Sequence, residues 1–156
     1  MRAERGAERG SALALVPAGV LVLVVLGALA VDAALAFLGQ RALTDAAAAA
    51  ANDAAAVGMS DAAFYGEATG PIVLDPVAAR RAAVTAVAAR GLRGVHVTRH
   101  VVEVQGDQVC VRLTGRVPYL FSPLVPGVPR AAHVHGRAVA TAARGSAPVR
   151  SASIVC

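Results

Sequence analysis

The sequence predicts an α+β protein: a long N-terminal transmembrane helix, then a second helix packed on a small antiparallel β-sheet. Three observations carry that prediction. Residues 12–31 form a twenty-residue stretch without a charged side chain. Two alanine-rich segments follow, the second opening on Asp75-Pro76, a helix-start signal. From Val95 the hydrophobic period changes from helical to alternating, and Gly106-Asp107 divides two alternating segments.

Residues 12–31 read ALALVPAGVLVLVVLGALAV. At ~1.5 Å per residue they span roughly 30 Å, the thickness of a bilayer core. Pro17 is expected in the first turns, where a missing N–H costs least. The preceding leader, residues 1–10, holds Arg2, Arg5 and Arg9, and arginines beside a span favour a cytoplasmic N-terminus. The rest of the chain is then expected outside the cytoplasm. A cleaved secretory signal is the competing reading, since Ala28-Leu29-Ala30 has the small-x-small form of a cleavage site. Against it, the apolar run exceeds the usual ~7–15 residues and helix-forming sequence continues through the cut. Asp32 ends the run and is expected at the outer interface, where its carboxylate reaches water. With no ionisable partner in the span, an intramembrane proton relay has no support.

The alanine run carries the helix to about Val57, with Gly58 as its stop. Residues 59–74 read as a linker punctuated by Gly66, Gly70 and Pro71, with Phe64 and Tyr65 tacking it onto the domain that follows. In the second helix Asp75 is the N-cap and Gly91 the stop. Val77, Val84, Val87 and Ala88 are expected to line its apolar face. Strands are expected at 95–104, at 108–117 and near 132–143, with Val109, Val111 and Leu113 on one face and Arg112 and Thr114 on the other. The extracytoplasmic α+β domain thus covers 75–143 and a tail covers 144–156.

Composition limits the function classes. The chain has 156 residues, 56% hydrophobic but only 3% aromatic, so alanine and valine must fill a thin core. The net charge of +5 comes from 15 basic residues, all arginine. They form no basic stripe with interleaved aromatics, so nucleic acid is not an expected partner. No G-x-S-x-G, phosphate-binding loop or dinucleotide turn is present, so no catalytic residues, cofactor or small-molecule substrate are expected.

Three groups of residues remain as candidates. His96 and His100, with His133 and His135, would converge as a zinc shell if their strands neighbour in register, although no carboxylate stands ready to orient them; ordinary polar-face histidines are the simpler reading. Cys110 and Cys156 could pair within the chain, pair between chains, or stay free. An internal bridge over ~45 residues would stabilise by roughly 3–4 kcal/mol. The loop PYLFSPLVPGVP holds prolines at 118, 123, 126 and 129, which block helix and central strand alike. Its Tyr119, Leu120, Phe121, Leu124 and Val125 either fold back on the core or meet a partner or the bilayer surface.

Several of these features occur together in a known arrangement. Arg9-Gly10-Ser11 enters the span, Pro17 lies early in it, Val31-Asp32 closes it, and Arg41 precedes an Asp45-alanine run. In that order and spacing, the first part of the chain resembles TadE/TadG-like proteins of the tight-adherence (Flp) pilus assembly machinery. The resemblance covers about 40 residues well and continues loosely through the strand–proline loop–strand stretch. It implies a non-catalytic, single-pass, pilin-like membrane protein whose outer domain works with other Tad-type pilus or secretion proteins. It also implies a possible prepilin peptidase site between Gly10 and Ser11. Processed members carry glutamate at the fifth mature position, where this chain has Leu15. That departure favours an unprocessed, TadG-like anchor; the alternative is a secreted or membrane-anchored extracytoplasmic binding module, for metal or cell wall, unrelated to pili.

Overall fold

The computed structural model describes residues 7–60, 65, 72–124, 126–143 and 156, with side chains from Leu15 onward. Helix α1 runs unbroken from Ala7 to Gly58, 52 residues and about 78 Å. It starts earlier than expected, so Pro17 lies well inside it and removes one backbone hydrogen bond there. The helix also passes through the Gly10–Ser11 peptide bond; the side chains at that step lie outside the described residues.

Two halves of α1 meet different surroundings. Along Leu15–Val31 the large apolar side chains are exposed, Leu15 by 67% and Leu23 by 70%. This is a helix long and apolar enough to cross a membrane. From Asp32 onward one stripe is buried: Asp32, Gly39, Leu43, Ala46, Ala47, Ala50, Ala51, Ala54, Ala55 and Gly58. Steps of three and four residues keep that stripe on one side of the helix, and it forms one wall of the core.

Helix α2 (Pro76–Ala89) starts as expected. Asp75 Oδ1 accepts from the backbone N–H of Val77 at 2.8 Å and of Ala78 at 3.2 Å. Its buried face differs from the expected one. Ala79 and Ala83 are fully buried and Val87 is half-buried, while Val77, Val84 and Ala88 face solvent. The reason is the close approach of the two helices. A Cβ on Gly58 of α1 would sit 3.1 Å from the Ala79 Cβ, leaving no room for a branched side chain at the crossing. Alanine buries little area, but it lets the backbones come together. Of the linker aromatics, Phe64 lies outside the described residues and Tyr65 is largely exposed rather than tucked onto the head.

Strands β1 (His96–Gln105), β2 (Gln108–Pro118) and β3 (Ala131–Thr141) form an antiparallel sheet in the order β1-β2-β3. Gly106 adopts φ 58° in the β1–β2 turn, a conformation that glycine takes without strain. Val109, Val111, Leu113 and Val117 of β2 and Val134 and Ala140 of β3 are buried against the helices, while Arg112, Arg116 and Arg137 point to solvent. The turn is held from both sides. Leu74 N–H donates to the Gly106 carbonyl at 2.9 Å and Ala142 N–H to the Asp107 carbonyl at 2.8 Å. Asp75 N–H donates to the Gly58 carbonyl, so the hairpin turn lies level with the C-terminal end of α1.

Candidate functional site

The features with functional potential gather at the opposite end of the head, where the exposed half of α1 meets the sheet. Beyond Pro118 the chain turns away from β2 through the proline loop, which includes a single 3₁₀ turn at Ser122–Leu124. Between Pro118 and Pro123 four residues carry backbone N–H groups, and all four are satisfied. Tyr119 N–H donates to the Arg130 carbonyl across the loop's base at 3.0 Å. The next three converge on one carboxylate. Asp32 Oδ1 accepts from Leu120 at 2.8 Å and Phe121 at 3.2 Å, and Oδ2 from Phe121 at 3.3 Å and Ser122 at 2.9 Å. Three successive amides around an anion form a concave nest, and hydrogen bonds to an ionised acceptor are among the stronger ones.

Asp32 therefore does not reach into water as expected; it is 5% exposed. A carboxylate surrounded by amides is compatible with burial because its lone pairs are engaged. The role was hidden because the donors lie 88 to 90 residues away in sequence. The available signal was a lone carboxylate in a chain whose proline-rich loop has few amides to satisfy. Ser122 completes the loop by donating its hydroxyl to the Pro129 carbonyl at 2.8 Å.

A second clamp lies two turns further along α1. The Gln40 side-chain amide donates to the His135 carbonyl and accepts from the His135 N–H at 3.0 Å. β3 is an edge strand, and Gln40 caps part of its free backbone with a side chain that mimics a neighbouring strand. Gly136 then brings β3 so near α1 that a Cβ there would overlap the Leu43 backbone. Neither Gln40 nor Gly136 stood out in the sequence, since one polar residue on a long helix and one glycine in a strand are unremarkable.

The clamps hold the loop's backbone and leave its apolar side chains outside. Leu120, Phe121 and Leu124 are 63%, 42% and 79% exposed, and Tyr119 is half-buried. Val125 lies outside the described residues. Phe37 and Leu38 of α1 add exposed apolar surface just beyond Asp32. The loop thus folds against α1 through its backbone while presenting its side chains outward.

The four histidines do not converge. The β1–β2 register shifts between Val97 and Arg99, so His96 pairs with Arg116 whereas His100 pairs with Leu113. Arg116 and Leu113 are an odd number of residues apart, which places His96 and His100 on opposite faces. His133 and His135 pair with Arg116 and Thr114 and share the face of His96, but β2 separates them from it. In that row Arg116 of β2 stands between His96 and His133, and a guanidinium is no zinc ligand. Among the described residues no three His, Cys, Asp or Glu side chains gather as metal ligands. That face instead carries Arg99, Arg112, Arg116 and Arg137, with Glu103 its one carboxylate among the described strand residues.

No protein-family model, curated protein or solved structure matches the chain significantly.

Two further features complete the surface. Cys110 and Cys156 are joined in a disulfide with Cα atoms 5.9 Å apart, which seats the last residue on the outer face of β2. A shallow groove between α1 and α2 is lined mainly by alanine, with Asp53 and Arg81 as its charged groups.

Proposed function

We propose that the protein is a non-catalytic, single-pass, pilin-like component of a Tad/Flp-type pilus assembly or related secretion system. The observation that supports this reading is the division of α1. One continuous helix has an exposed apolar half of membrane-spanning length and a second half that is the spine of an α+β head. Such a subunit stands in the membrane by its stalk and meets sibling proteins through its head. Clamps at Asp32 and Gln40 fix head to stalk, so a force on the head passes directly to the anchor. The N-terminus is then cytoplasmic and the head extracytoplasmic, where a Cys110–Cys156 disulfide is chemically at home. The expected partners are the membrane and other Tad-type proteins.

The deciding experiment is intact mass together with co-purification from membranes of the native host. A full-length N-terminus, with pilus-assembly proteins retained through detergent extraction, is the expected result. A chain cut before Ser11 would mean a processed subunit despite Leu15. A chain that starts at Val31 and is found in the medium would refute the membrane-anchored reading.

A further inference from the structure

We propose that the proline loop is a second membrane contact: Leu120, Phe121 and Leu124 enter the outer headgroup layer beside the helix and set the height and tilt of the head. The inference rests on the reading that residues 12–31 lie in the bilayer.

Height is the first argument. Residues 12–31 fill a hydrocarbon core of about 30 Å, and each headgroup layer adds roughly 5–7 Å, or about four residues of helix. Asp32 is the first residue beyond that core, and it holds the amides of Leu120, Phe121 and Ser122 directly. The loop is therefore fixed at the depth of the headgroups. Phe37 and Leu38, exposed on the same stretch of helix, extend the apolar surface at its outer margin.

Backbone chemistry is the second argument. Irregular backbone enters a low-dielectric layer only where its polar groups are satisfied. Pro118, Pro123, Pro126 and Pro129 have no N–H to desolvate. The amides of Tyr119, Leu120, Phe121, Ser122 and Leu124 are all bonded within the protein. Leu120, Phe121 and Leu124 project outward from this bonded segment, Leu124 most of all at 79% exposure.

Charge is the third. Arg116 lies in the last row that spans all three strands, two residues before Pro118, and Arg130 closes the loop's base; both are exposed. A guanidinium just above apolar side chains that enter the headgroup layer suits the phosphates of anionic lipids. The outer leaflet is thus the one occupant that meets the loop's height, its satisfied backbone and its basic border together.

The chain contains no tryptophan, so single substitutions report on depth without background. Leu124→Trp, Leu23→Trp and Gln105→Trp would each be placed in the full chain and reconstituted in vesicles of phosphatidylcholine and phosphatidylglycerol. Companion vesicles would carry bromine either high or deep on the acyl chains. Gln105, beside the hairpin turn, lies level with Gly58, roughly 39 Å along α1 from Asp32. The expected result is that Trp at 124 loses most of its emission to shallow bromine, Trp at 23 to deep bromine, and Trp at 105 to neither. Trp at 124 quenched by aqueous iodide and untouched by bromine, while Trp at 23 is quenched, would overturn the loop contact alone. Failure of Trp at 23 to respond would overturn the anchor and the inference with it. A blue-shifted Trp at 124 that ignores bromine and depends on protein-to-lipid ratio would assign the loop to a second copy and also overturn the proposal.

Discussion

Asp32 completes the amide count of the proline loop, and removing it tests that role. In Asp32→Ala the amides of Leu120, Phe121 and Ser122 lose their shared acceptor. Hydrogen exchange at those three positions should accelerate strongly, while amides in the centre of β2 stay protected. Asp32→Asn keeps one acceptor oxygen and should fall between. Unchanged exchange at 120–122 in the alanine variant would contradict the clamp. Gly136 makes a second residue-scale test. Adding its Cβ drives β3 away from the Leu43 backbone, so Gly136→Ala should destabilise by about 1–3 kcal/mol in a denaturant titration. Gly19 has nothing within 4 Å of an added Cβ, and Gly19→Ala should leave stability unchanged or slightly raised. Arg41 and Asp45 approach to 3.9 Å but are largely exposed, and such a pair contributes little.

At the scale of elements, packing between α1 and α2 depends on small side chains. Ala83 is fully buried, and Ala83→Leu should overpack the crossing and lower stability by about 1–3 kcal/mol. Val84, one position along and 45% exposed, should accept threonine within about 0.5 kcal/mol. Reversal of those two effects in thermal melts would restore the valine face that periodicity suggests. Valines attract attention in a helical wheel because they are the largest apolar residues there. The helix crossing selects for closeness, which favours alanine. On the sheet, the disulfide joins residues 46 apart, and replacing both cysteines by serine should remove about 4 kcal/mol in the chain-entropy account. A melting temperature unmoved by reductant would show that the bridge does not form in the protein isolated from its host.

The whole molecule divides at Asp32 into an exposed and a packed part. Everything buried in the core lies at or beyond that residue, while the helix before it contributes no buried side chain among the described residues. A fragment of residues 32–156 should accordingly fold without detergent, melt cooperatively and keep the Asp32 clamp. The full chain should require detergent or lipid. A fragment that stays unfolded would mean that the exposed apolar half of α1 also organises the head. The mechanical consequence follows from the same division. Because α1 is continuous, its exposed apolar half and the spine of the head are joined by an unbroken helix rather than by a tether.

The sequence by itself determined the elements. Twenty uncharged residues define the exposed half of α1, the alanine run carries it to Gly58, and Asp75-Pro76 opens α2. The change of period at Val95 with Gly106 marks the hairpin, and the alternation of Val109, Val111 and Leu113 sets the face of β2. These are local properties of propensity, capping and periodicity, readable a few residues at a time. Only the tertiary structure decided which alanines meet across the helices, that a register shift at Val97–Arg99 parts His96 from His100, and that Gln40 caps the edge of β3. The same holds for the partner of Asp32, three amides that the chain reaches only after folding back over 88 residues. Such contacts depend on register and close approach between distant segments, and no local pattern in the chain encodes them.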